Sequence, residues 1–260
     1  MRKTIVLASK EFRGFLRMPL GYALLAVYAL VTGMVFMALL YLFREQILRV
    51  AQQAQLAMPS RPVVDVQISL VTPYLLNAAA LLIFMVPFLT MRSFAQEKHS
   101  RSLEVLVSFP LSAWEIVAGK FLGVLCYTLL LLGITAVHLV ILSFISTPEL
   151  LPTLGGFVGL VLFAMTLVAI GLFVSSLTTG QVEAAVLTLG LFMGLVMASE
   201  TGGSDSSWLR TVLVYLSPLH YYEEFGRGML PFDGLFFYLG ATVLFMALTL
   251  RGVDLLKWRG

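Results

Sequence analysis

Between Leu154 and Leu177 the chain carries no charged side chain. Comparable apolar blocks recur at Leu20 to Phe43, Val71 to Met91, Ile116 to Ile145, Ala184 to Ala198 and Leu235 to Leu250. About 20 apolar residues cross a hydrocarbon core of roughly 30 Å as one helix, so each block is read as a membrane span. A closed barrel would alternate apolar and polar residues along every strand, whereas Leu125 to Leu132 and Gly155 to Ala164 are apolar on all sides. The expected fold class is therefore an all-α integral membrane protein with six transmembrane helices at 20–43, 71–91, 116–145, 154–177, 184–198 and 235–250. Ala184 to Ala198 is the shortest block, and a re-entrant course there would move the C-terminus outward.

Composition excludes other classes. Of 260 residues, 59% are hydrophobic and 12% charged, against roughly a quarter charged in ordinary soluble domains, which removes a soluble enzyme. The net charge of +3 comes from basic residues spread at the ends of apolar blocks, without the clustering that nucleic acid demands. Cys126 is the single cysteine, so neither an intramolecular disulfide nor a cysteine cluster can form.

With the N-terminus inside, twelve of the 17 Lys and Arg residues fall on inner segments and five on outer ones. Positive charge favours the cytoplasmic side, which puts both termini in the cytoplasm. Residues 1–18 are too interrupted by Lys10 and Glu11 to form a signal-peptide core. Ile5, Ala8, Phe12 and Phe15/Leu16 recur at helical spacing, with Lys10, Arg13 and Arg17 elsewhere on the wheel. That pattern describes an amphipathic helix lying in the inner interface with its cations near anionic headgroups. Pro19 and Gly21 supply the bend into the first span.

The inner segment 92–115 combines a capping box at Ser112 and Glu115, which restarts a helix, with a short amphipathic stretch between Arg101 and Phe109 that ends before Pro110. Leu103, Leu106 and Val107 form an apolar docking edge flanked by Glu97, Arg101 and Glu104. A force-transmitting contact with a cytoplasmic partner and a solvated loop both fit these residues. On the outer side, Arg44 to Ser69 reads as a helical extension followed by an extended return. Residues 200–233 read as an interfacial or re-entrant hairpin, since Trp208 to Leu216 is apolar but too short to span. Tyr221 and Tyr222 suit headgroup depth, and with Glu223 and Glu224 they also form a candidate substrate contact.

Chemistry of its own is hard to find in the chain. Gly119-Lys120 is followed by Phe121 and preceded by Trp114 where a P-loop needs glycine, so ATP hydrolysis is expected elsewhere. His99, His138 and His220 lack metal-ligand partners at helical spacing. His138, within a span, is either part of a substrate path or a neutral imidazole bonded to a neighbouring carbonyl or hydroxyl. Glu183 is either a favourable acid at a helix N-terminus or part of a gate. Gly155, Gly156 and Gly159 permit close helix contact. No nucleophile and base pair lies at membrane depth, which disfavours an intramembrane protease.

Lys10-Glu11-Phe12 with Pro19-Leu-Gly21-Tyr22, Leu89-Thr-Met-Arg-Ser-Phe-Ala-Gln-Glu97-Lys98, Leu103-Glu104-Val-Leu106, Phe109-Pro110-Leu-Ser112 and Gly119-Lys120-Phe121 occur here in order. They are followed by Ser175-Ser-Leu-Thr-Thr-Gly-Gln-Val-Glu183-Ala-Ala and Ser217-Pro-Leu-His220 with Arg227-Gly228. Over nearly its whole length the chain thus resembles the permease subunits of ABC-2 type ATP-binding-cassette transporters, particularly the gliding-motility-associated (Gld-type) branch. Where similar proteins have Gly-Thr before the Leu-Glu pair, this chain has Arg101-Ser102, which alters the start of the coupling helix.

The resemblance implies a type V ABC exporter-like arrangement: an elbow helix at 1–18, six spans, a cytoplasmic coupling helix within 92–115 and an outer re-entrant hairpin within 200–233. It implies an ATPase-coupling interface at Glu97, Arg101, Leu103, Glu104, Leu106, Phe109 and Pro110. The implied assembly holds two ABC ATPase subunits carrying ATP and Mg, no cofactor on this chain, and a second permease half. That half is the same chain or a related membrane protein with a large extracytoplasmic domain. The expected setting is the bacterial inner membrane, with export or mechanical work as the output. The competing reading is a membrane scaffold of a secretion or motility complex that carries no cargo.

Overall fold

The computed structural model describes residues 2–56, 65–99, 112–146, 148–200, 212, 214–229 and 231–259. In chain order the helices are α1 (Arg2–Arg17), α2 (Pro19–Leu56), a π-helical turn (Gln67–Val71) leading into α3 (Thr72–Thr90), and the short α4 (Ala95–His99). They continue with α5 (Ala113–Ile145), α6 (Leu150–Leu177), α7 (Gln181–Glu200), α8 (Pro218–Gly226) and α9 (Phe232–Arg259). Among the described residues α2, α3, α5, α6 and α9 are long and apolar enough to cross a membrane, and α7 contains a shorter apolar helix over Gln181–Met197. Helices outrun the apolar blocks at both kinds of border, α2 continuing past Phe43 to Leu56 and α9 past Leu250 to Arg259.

α3 and α6 form the centre of the bundle and are mostly buried, whereas α2, α5 and α9 leave most of their apolar surface exposed. Val27, Leu30, Met34 and Met37 on α2, and Phe236, Val243 and Leu244 on α9, point outward, as expected of helices whose solvent is lipid. The interior between α2, α3 and α5 holds a polar chain. Tyr28 Oη lies 2.8 Å from Thr135 Oγ1, and Tyr74 Oη lies 2.9 Å from His138 Nδ1. Thr32 donates to the Tyr28 carbonyl at 2.7 Å.

The bundle has two distinct ends. At one, α1, α4, the start of α5 and the end of α6 meet. α9 returns there, since a side chain added at Gly252 would come within 3.6 Å of Ser176 Oγ. At the other end α8 seats on α3 and α6: Thr72 Oγ1 donates to the Gly226 carbonyl at 2.7 Å, and Tyr238 of α9 donates to the Pro218 carbonyl at 2.8 Å. α7 connects the two ends, its Leu195 and Val196 lining one small cavity with Pro218 and Leu219.

α1 turns Leu7, Glu11 and Phe15 into the protein and leaves Ile5, one of its expected apolar positions, 64% exposed. The reason lies on α5, where Gly119 and Gly123 open a groove one turn long. Cβ atoms added there would lie 2.8 Å from Leu7 Cδ2 and 2.5 Å from Glu11 Cβ. Ala8, Phe12 and Leu16 are half-buried beside this seam, and Lys10, Arg13 and Arg17 remain exposed.

Candidate functional site

α5 starts where the sequence places its cap. The Glu115 amide donates to Ser112 Oγ at 3.2 Å, and the Ser112 amide donates to Glu115 Oε2 at 3.0 Å, satisfying two helix-end donors reciprocally. Two turns further on, Lys120 is fully buried. Its ammonium donates to Glu11 Oε1 at 2.8 Å, Glu97 Oε1 at 2.7 Å and the Ser93 carbonyl at 2.6 Å. An ammonium has three protons, and each has an acceptor here. The Phe94 ring lies beneath it, 5.2 Å from Nζ. A buried cation is tolerated only when paired and hydrogen-bonded. Both carboxylates retain some exposure, 18% for Glu11 and 20% for Glu97, which limits their own desolvation.

α4 has a second anchor on α6. Ser175 Oγ accepts from the Phe94 and Ala95 amides at 3.2 and 3.1 Å, and Lys98 Nζ donates to the Ser176 carbonyl. Residues 93–98 are therefore gripped by α1, α5 and α6 together, immediately before the segment 100–111. Beside this junction lies a cavity of about 210 Å³ between α1 and the turn after α3, with Lys10 and Arg92 on its wall.

Of the expected coupling residues, Glu97 is turned inward onto Lys120. Arg101, Leu103, Glu104, Leu106, Phe109 and Pro110 lie outside the described residues. The other candidates do not converge. Glu183 is exposed in the first turn of α7. His138 sits mid-bundle against Tyr74 and the Phe36 ring, whose centroid is 5.1 Å away. At the far end Tyr221 stacks on Phe237 at 4.3 Å, and Tyr222 is buried with its hydroxyl donating to the Gly156 carbonyl at 3.4 Å. Burial raises the Tyr221 phenol above its ordinary pKa. Glu223 and Glu224 are exposed. Gly156 and Gly159 serve as the bed for α8, a Cβ on Gly159 coming within 2.5 Å of Phe225 Cβ. Among the described residues no three His, Cys, Asp or Glu side chains are grouped to hold a metal.

The sequence reading missed Lys120 as a site residue, together with its partner Glu11 and the acceptor Ser175. A usable signal existed: Lys120 is the lone charge inside the apolar block Ile116 to Ile145, and Glu11 is the lone acid in an otherwise basic helix. Opposite isolated charges of this kind are candidates to find each other, because neither can stay unpaired in an apolar setting. Ser175 carried no comparable mark.

A family model described as ABC-2 family transporter protein matches residues 5–251. No curated protein matches the chain.

Proposed function

The chain belongs to the ABC-2 family transporter proteins, and from that premise we propose that it is the permease subunit of a bacterial inner-membrane exporter driven by separate ATPase subunits. It is a multi-pass membrane protein. In this reading α7 completes six crossings, both termini are cytoplasmic, and two ATPase subunits holding ATP and Mg dock on the segment 97–110. The second permease half is another copy or a related membrane protein, as in the Gld-type branch.

The observation that carries the reading is the anchoring of α4 by Lys120. A segment that receives force from a cytoplasmic ATPase must be rigidly joined to membrane helices, or the push is lost in loop motion. Lys120 joins Glu97 to both α5 and α1, and Ser175 joins the same turn to α6. A push on 97–110 is thereby delivered to α5 and α6 as a tilt, with α1 carried along. Arg101, Leu103, Glu104, Leu106, Phe109 and Pro110 make the contact in this account, and Glu97 transmits it.

The test is recovery of the chain from native membranes in mild detergent, with mass spectrometry of what stays bound. A stoichiometric P-loop ATPase that is lost in Glu104→Lys and in Leu106→Ala, with membrane insertion intact, is the expected result. Normal ATPase recovery in both variants refutes the docking assignment. Absence of any ATPase under several solubilisation conditions favours the scaffold reading.

A further inference from the structure

We propose that the cavity between α1 and the turn after α3 is a binding site for a phosphate-type oxyanion, presented by the headgroup of an anionic inner-leaflet lipid. The guanidinium of Arg92 carries the case. Its Nε is buried without a hydrogen-bond partner among the described residues, and its Nη1 is directed at the thioether of Met18, a weak acceptor. Arginine is a fork of five donors matched to phosphate and carboxylate oxygens, and a buried donor left unsatisfied is costly. Here the fork borders a cavity of about 210 Å³ that Lys10 also lines, so a tetrahedral anion beside Arg92 would meet two cations.

The carboxylates on the same wall do not forbid an anion. Glu11 and Glu97 are both committed to Lys120, so the neighbourhood holds three cations, Lys10, Arg92 and Lys120, against two acids. The remaining wall suits a lipid. Phe15 and Met18 give it an apolar side, and Gly14 leaves room, since a Cβ added there meets nothing within 4 Å. The lipid source rests on the proposed permease role, in which α1 is the elbow helix lying in the inner interface; the oxyanion chemistry does not.

The experiment is native mass spectrometry of the purified full chain after exchange into detergent with phosphatidylglycerol, read alongside thermal stability in detergent with and without inorganic phosphate. Three variants are compared: Arg92→Gln removes the fork, Arg92→Lys keeps charge without it, and Gly14→Leu fills the cavity without altering any charge. Wild type should retain one phosphatidylglycerol that Arg92→Gln holds roughly tenfold more weakly, as expected for loss of a charge-assisted hydrogen-bond pair, and that Gly14→Leu also releases because its side chain occupies the space. Arg92→Lys should fall between. If inorganic phosphate stabilises wild type and not these variants while lipid retention is equal in all, the anion is a soluble phosphate. If folded Arg92→Gln and Gly14→Leu match wild type in both readouts, the site does not exist. ATPase recovery plays no part in either readout, so the site and the docking assignment fail separately.

Discussion

Lys120 of α5 reaches Glu11 of α1 at 2.8 Å across more than a hundred residues of chain, from a position with no solvent exposure. The pair fixes how α1 is rolled against the bundle. The same ammonium holds Glu97 at 2.7 Å, so α1 and α4 are joined through one atom. Removal of that atom leaves two acids facing an apolar hole.

Lys120→Ala should therefore destabilise the protein by about 3–5 kcal/mol, the usual cost of removing one partner from a buried ion pair. Lys120→Met combined with Glu11→Gln and Glu97→Gln should recover much of that loss, because no charge then remains to be compensated. Thermal unfolding in detergent measures both. Equal melting temperatures for wild type and Lys120→Ala would mean that the triad is not a structural anchor.

Ser175→Ala removes the oxygen that accepts from the Phe94 and Ala95 amides. Loss of such a cap costs about 1 kcal/mol. Hydrogen exchange at the amides of residues 94–98 should then speed up roughly fivefold, a local opening of that free energy. The amides of α8, at the other end of the bundle, should be unchanged. Uniform acceleration in both regions would point to global rather than local loosening.

Gly159→Val puts branched carbon where Phe225 Cβ already lies 2.5 Å from an added Cβ. Overpacking of this kind costs about 1–3 kcal/mol, and α8 should lift from α6. Tryptic cleavage at Arg227, beside α8, should become faster in the variant. An unchanged cleavage rate would show that α8 does not depend on the glycine bed.

Tyr74→Phe and His138→Phe break the same hydrogen bond from opposite sides. A double-mutant cycle in detergent or bilayers should return a coupling of roughly 0.6 kcal/mol, the average for interhelical hydrogen bonds in membranes. If His138 lines a substrate path instead, His138→Phe should impair transport while Tyr74→Phe leaves it intact. The cycle and a transport assay separate these roles.

The apolar blocks, the cap of α5 and the helical nature of the bundle were legible in the sequence because each depends on local chemistry. A block without charge must satisfy its backbone internally, and Ser112 finds Glu115 three residues away whatever the rest of the chain does. α1 was legible as an amphipathic helix, but which of its faces meets the protein was not: the groove at Gly119 and Gly123 and the charge of Lys120 turn Leu7, Glu11 and Phe15 inward.

What only the tertiary structure decided is which distant polar groups share an environment. Lys120 and Glu11 stand out singly as isolated charges, but nothing local makes them partners, and Ser93, Glu97 and Ser175 carry no mark at all. Their pairing depends on how α1, α5 and α6 pack around one turn of chain, and packing is a many-body property that no local pattern encodes. Sequence by itself determined that the chain is a helical membrane protein of recognisable family pattern. The fold determined that α1, the third long apolar helix α5 and the turn leading into 100–111 are tied at one buried ammonium, because a charge excluded from water must take its partners from wherever the packing brings them.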